Sequence, residues 1–170
     1  MADPTRRARV STGTSGRLII WLSFVIAILL QVAPWPGELA NFRPTWILLV
    51  ACYWVLALPH RVNVGTALVL GLLWDLMLGS TLGVRGMMMA ILCYIVALNF
   101  QVLRNLSLWQ QAVIIASISL AGKLIEFWAE YLVSPVIFDI RQLWGVLLNF
   151  LLWPWLFLLL RRVRRQFSIK

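Results

Sequence analysis

Apolar residues in this chain come in long blocks rather than in alternation or on a single helical face. The blocks are Leu18–Ala33, Thr45–Leu58, Val62–Leu78, Met87–Val102, Gln110–Val133 and Leu143–Leu160. Segments that are apolar all round predict helices surrounded by lipid or by other helices. Prolines punctuate them. Pro34-Trp35-Pro36-Gly37 stops the first block, Pro44 opens the second at a helix start, and Pro59 closes it. Pro154 falls inside the last block, where it predicts a bend. Residues 1–16 are polar and carry Pro4, Gly13 and Gly16, which predicts a disordered arm. The expected layout is an arm over 1–16, a helical bundle over 17–160 and a basic tail over 161–170.

A straight span needs about 20 residues. The second block is shorter than that. It either recruits Asn41 to Arg43, thins the bilayer locally, or enters and leaves on one side, which would make five spans. Six spans is the preferred reading, because His60-Arg61 then forms a tight connection. The first block reads as an uncleaved span, since Gln31-Val32-Ala33 lacks a small-x-small cleavage pattern and Pro34 follows at once.

Composition sharpens the class. Hydrophobic residues make up 62% of the 170-residue chain and charged residues only 12%, with a mean hydropathy of +0.88. A soluble domain carries about twice that charge. The expectation is an all-α integral membrane protein, a compact bundle of about six transmembrane helices. The net charge of +9 does not point to nucleic acid, because the arginines sit at the chain ends and in short loops. On the N-terminal side of a six-span layout lie Arg6, Arg7, Arg9, Arg17, Arg61, Arg104, Arg161, Arg162, Arg164, Arg165 and Lys170. On the other side lie Arg43, Arg85 and Arg141. That asymmetry predicts both termini in the cytoplasm. Trp35, Trp46 and Trp144 fall at expected outer ends, and Trp109, Trp153 and Trp155 near inner ones, as in an aromatic belt. Basic residues beside spans also predict contact with anionic membrane lipids. Cys52 and Cys93, each inside an apolar block, read as small packing residues.

Charged groups inside apolar blocks need a reason, since a lone charge at a bilayer centre costs about 2.5–3.5 kcal/mol. Asp75 sits near the outer end of the third block, within reach of Arg85. Gly71, Asp75, Gly79 and Gly83 recur every four residues. On a continuing helix they form one stripe where another backbone approaches closely. Alternatively the chain turns beyond Gly79, with Ser80 and Thr81 satisfying the freed backbone groups. Gly71, Asp75, Gly79, Gly83 and Arg85 are therefore candidates for helix packing or partner binding. In the fifth block, Ser119, Lys123, Glu126 and Glu130 fall within about 60° of one another on a helical projection. Such a stripe faces the bundle interior, a cavity or a partner helix. Lys123 and Glu126 can pair along the helix, and Lys123 could meet Asp75 across helices. Asn149 shares a face with Gly145 and Trp153 and reads as a bond to another helix. Together, Ser119, Lys123, Glu126, Glu130 and Asn149 are candidates for a central polar pocket. No nucleophile–base pair, phosphate loop or metal motif appears, so neither an enzyme nor a cofactor is expected.

The segments WLSFVIAILLQVAPWP, FRPTWILLVACYWVLALPHRVNVG, GLLWDLMLGSTLGVRG, RNLSLWQQ, FWAEYLV and WPWLFLLLRRVRRQF closely resemble, in order, the rod shape-determining protein MreD family of Gram-negative bacteria. The resemblance runs from about Trp21 to Phe167 and is strongest around Asp75. It implies a non-enzymatic inner-membrane component of the cell-elongation machinery that binds the bitopic protein MreC. Through MreC it would connect cytoplasmic MreB filaments to a peptidoglycan glycosyltransferase and transpeptidase. It also implies a fold similar to the substrate-binding subunits of energy-coupling-factor transporters. That likeness supplies the alternative function: a subunit binding a small molecule or lipid in a central polar pocket.

Overall fold

The computed structural model describes the backbone of residues 4–34, 42–79, 81–133, 141 and 143–167, and side-chain surroundings from residue 16 onward. Trp35, Ser80 and Lys170, and the side chains of Arg6, Arg7 and Arg9, lie outside the described residues. The described residues form seven helices: α1 (Pro4–Val32), α2 (Trp46–Ala57), α3 (Val64–Leu78), α4 (Val84–Leu98), α5 (Phe100–Asn105), α6 (Leu108–Val133) and α7 (Leu143–Gln166). The helical backbone begins inside the segment expected as a disordered arm, and the apolar part of α1 is Gly16–Val32. At the other end, α7 continues through Pro154 and into the basic tail as far as Gln166.

The helices run up and down. Arg43, just ahead of α2, donates through Nη2 to the carbonyls of Gln31 and Ala33, the latter at 2.9 Å, at the end of α1. A hollow lined by Arg17, Trp21, His60 and Arg61 joins the start of the apolar part of α1 to the α2–α3 turn. Leu56 and Ala57 of α2, Arg104 of α5, Gln111 of α6 and Arg161 of α7 meet around a second hollow. The end of α2, α5, the start of α6 and the end of α7 therefore share one end of the bundle. α5 is a short jog between α4 and α6. The closest partners are α3 with α4 and α6 with α7.

At the centre stands α2. Every residue from Ile47 to Leu56 is buried, which explains an all-apolar helix of only 12 residues. At about 1.5 Å per residue it is about 18 Å long, well short of the ~30 Å hydrocarbon layer. Protein rather than lipid surrounds it, so it needs no full span of its own. Cys52 and Cys93 are buried free thiols, and Trp54 donates to Ser23 Oγ of α1 at 2.8 Å.

Outward faces are strongly apolar: Leu132 is 82% and Trp155 78% exposed. Among the described residues two helices, Leu108–Leu132 and Leu143–Gln166, are long and apolar enough to cross a bilayer, and four shorter apolar helices accompany them. Of the tryptophans expected in an interfacial belt, Trp153 is instead fully buried, with its ring centroid 6.0 Å from that of Phe157. It lies one helical turn beyond Asn149 on the inward face of α7, so burial there competes with and outweighs an interfacial position.

Candidate functional site

The buried residues of α3 are Ala67, Leu70, Gly71, Trp74 and Asp75, the spacing of one helix face. Asp75 is thus carried inward by the same register that buries Leu70, and it has no exposed surface. Two glycines then turn the chain. Gly79 ends α3 with φ +60°, and Gly83 opens α4 with φ +98°. A Cβ at either would touch nothing within 4 Å. The expectation that these two make room for a neighbour is therefore corrected. Their contribution is left-handed backbone, which lets the chain reverse within a few residues. Gly71 alone of the three serves close approach: a Cβ there would lie 2.5 Å from Arg85 O and 2.6 Å from Gly86 Cα.

The reversal brings the start of α4 onto Asp75. A helix leaves its first four N–H groups without internal acceptors. Here Gly83 N–H donates to Asp75 Oδ2 at 2.9 Å, Arg85 N–H at 3.2 Å and Gly86 N–H at 3.3 Å. Val84 N–H meets Thr81 O at 3.5 Å. The carboxylate of α3 is thus the N-cap of α4, supplied from the preceding helix because Gly83 has no side chain to do it. Its negative charge also faces the positive end of the α4 dipole.

Arg85 extends this cap into a network. Its Nη1 lies 3.4 Å from Asp75 Oδ1, its Nε 2.7 Å from Glu126 Oε1 and its Nη2 3.5 Å from Glu130 Oε1. The Nε contact is an ion pair without hydrogen-bond alignment. The guanidinium carbon stands 5.2 Å from the Trp74 ring centroid, a cation–π distance. Lys123 Nζ pairs with Glu126 Oε2 at 2.9 Å. The cluster thus takes in three of the six acidic residues of the chain.

The expected link from Lys123 to Asp75 is not what joins the helices. Arg85 fills that position, because the turn places it on the first turn of α4, between Asp75 and the polar face of α6. Lys123 stays on Glu126. Ser119 is buried on α6, with Oγ unpartnered among the described residues, and is not drawn into the network. Glycines missed at the sequence level set the spacing. Gly86 receives α3, and Gly122 of α6 lies where a Cβ would come within 2.9 Å of Leu92 Cδ1 and Met88 Sδ of α4. Gly86 stands outside the four-residue spacing, so that pattern could not reveal it.

Asn149 belongs to a different joint. Its Oδ1 accepts from Thr45 N–H at 3.0 Å and its Nδ2 donates to Thr45 Oγ1 at 3.2 Å. Thr45 is the N-cap residue of α2. One turn earlier, Gly145 passes so near that a Cβ would lie 2.7 Å from Arg43 O. A helix ending inside the bundle is again capped by a neighbour's side chain. Asn149→Leu should leave both Thr45 groups unpaired and destabilise the fold by about 1–3 kcal/mol. Thermal unfolding in mild detergent reads this directly, and an unchanged midpoint would remove the cap from the account.

Neither hollow at the opposite end of the bundle is lined by Asp75, Lys123, Glu126 or Asn149. Among the described residues no group of His, Cys, Asp and Glu is arranged to hold a metal ion.

A family model described as rod shape-determining protein MreD matches residues 12–163. The rod shape-determining protein MreD of Haemophilus influenzae is 42% identical over 146 residues, covering 86% of this chain and 90% of that relative. No solved structure matches the chain. With nearly the whole bundle covered by both comparisons, including α3, the turn and α4, the chain belongs to the rod shape-determining protein MreD family.

Proposed function

We propose that this chain is a multi-pass scaffold of the bacterial inner membrane, with six spans and both termini cytoplasmic. It binds MreC and so links MreB filaments to the glycosyltransferase and transpeptidase that build peptidoglycan. Its role is non-enzymatic. The bundle is of the type expected for the substrate-binding subunits of energy-coupling-factor transporters.

Family membership supports the rod-shape role. The observation that favours a scaffold over a ligand-binding subunit is how the buried polar groups are used. Asp75 is engaged by α4, Arg85 by three carboxylates and Asn149 by Thr45. Side chains committed to holding helices together make a rigid body whose outer faces are free for a partner helix. The up-and-down order supports the six-span topology. It collects Arg17, Arg61, Arg104, Arg161 and Arg164 around the hollows at one end, as a cytoplasmic end requires.

Copurification from mild detergent with the single-span MreC is the test. A stable complex is expected with the wild-type chain. It should also form with Lys123→Ala, since among the described residues Lys123 pairs along its own helix, with Glu126, and not with Asp75. A stoichiometric polar small molecule that copurifies and is lost in Lys123→Ala would instead establish the pocket reading. Failure of MreC to copurify with well-folded protein would sink the scaffold reading.

A further inference from the structure

We propose that the hollow where α2 and α7 end is a binding site for the phosphate of an anionic lipid headgroup. It has a volume of about 210 Å³ and is lined by Tyr53, Arg104, Gln111, Phe157, Arg161 and Arg164, with Leu56 and Ala57 closing it. That is far more than the ~10–15 Å³ a single water needs. Its cations come from α5 and α7, and among the described residues no carboxylate lines it. Arg104, Arg161 and Arg164 have no ion-pair partner among the described residues.

Three guanidinium groups from two elements, α5 and α7, line this hollow, and an anion held between them would offset their mutual repulsion. The bland explanation is that they cap the C-terminal carbonyls of α2. It accounts for one of them: Arg164 Nη1 reaches Ala57 O at 3.5 Å. Even Arg164 keeps most of its five-donor fork free. The negative end of the α2 dipole is equivalent to about half a charge, too little to balance three guanidinium groups. Planar forks suit phosphate oxygens, which accept two parallel bonds.

Gln111 adds chemical detail. Its Nε2 is spent on the carbonyls of Leu103 and Leu106, at 3.0 and 3.2 Å. Its Oε1 is buried without a donor among the described residues. A headgroup carrying a hydroxyl beside its phosphate supplies both the anion for the arginines and a donor for this oxygen. Phe157 and Tyr53, with ring centroids 5.4 Å apart, make an apolar floor for the glycerol carbons. The site rests on the chain lying in a membrane, but not on MreC binding.

The test is native mass spectrometry of the full chain in mild detergent with phosphatidylglycerol, phosphatidylcholine or inorganic phosphate added. Two charge-matched variants are compared: Arg104→Gln/Arg161→Gln, which removes lining cations, and Arg162→Gln/Arg165→Gln, which removes the same charge from outside the lining. Wild type and the second variant should each retain one phosphatidylglycerol in preference to phosphatidylcholine. The first variant should lose at least about tenfold in occupancy. Equal loss in both variants would mean diffuse attraction and overturn the site. Displacement of the lipid by millimolar inorganic phosphate, with phosphate itself retained, would overturn the lipid assignment and give the cavity to a free anion. Should the first double variant fail to purify, Arg161→Gln against Arg162→Gln makes the same comparison. MreC copurification, run in parallel, separates the two readings: lipid loss with MreC retained concerns the cavity, and MreC loss in wild type concerns the scaffold.

Discussion

Asp75→Leu should cost this protein about 3–5 kcal/mol, the range for removing one partner of a buried ion pair. A folded domain has only about 5–15 kcal/mol in total, so most of the substituted chain should fail to accumulate. The leucine leaves three N–H groups of Gly83, Arg85 and Gly86 without their acceptor. It also leaves the Arg85 guanidinium, in a largely buried position, without one of the three carboxylates that meet it among the described residues. Asp75→Asn keeps an acceptor and loses the charge, so it should fall between, at about 1–3 kcal/mol. Thermal unfolding in mild detergent ranks the three proteins, and restoration of rod shape in cells lacking the native protein gives the functional readout. A double-mutant cycle with Arg85→Leu should show coupling of about 0.5–3 kcal/mol, as for groups in one network. If Asp75→Leu unfolds at the wild-type temperature and restores rod shape, the cap is not what holds the hairpin.

The second large effect is expected at Gly71. A methyl there would lie 2.5 Å from Arg85 O, 2.8 Å from Arg85 C and 2.6 Å from Gly86 Cα. All three are backbone atoms, so no rotamer change relieves the clash and α4 must back away by about 1 Å to regain ordinary contact. That motion also lengthens the bonds from Asp75, one turn further along α3. Overpacking alone costs about 1–3 kcal/mol, and strained cap bonds add to it. Gly71→Ala should therefore destabilise by about 3 kcal/mol, and Gly71→Val by more. Gly79→Ala and Gly83→Ala meet no neighbour. Each should lose about 1–2 kcal/mol, the cost of left-handed backbone for a residue with a Cβ. The order of the three alanine variants is the check. Gly79→Ala or Gly83→Ala matching Gly71→Ala would mean that the turn, not the helix contact, limits stability.

Much of this arrangement was legible in the chain itself. Apolar blocks marked the main helices, because a segment greasy on every side has no stable place in water. The helical angles of Ser119, Lys123, Glu126 and Glu130 put them on one inward face, and the i,i+3 pair Lys123–Glu126 follows from local geometry alone. Asn149 as a link to another helix was legible too, since an amide inside an apolar block needs a partner. Its partner Thr45, 104 residues away, was not.

What the sequence determined by itself is the part ruled by local periodicity: which segments are helical, which faces are polar, and where like-signed charge gathers. The tertiary structure alone decided the use of each polar group. The four-residue spacing around Asp75 allowed a continuing stripe or a turn, and only the positive φ of Gly79 and Gly83 selected the turn. That turn put Arg85 rather than Lys123 against Asp75. It also made a carboxylate from one helix the cap of the next. The reason is physical: a short helix that starts against a neighbour has N–H groups partly or wholly shielded from water, and the acceptor nearest in space need not be near in sequence.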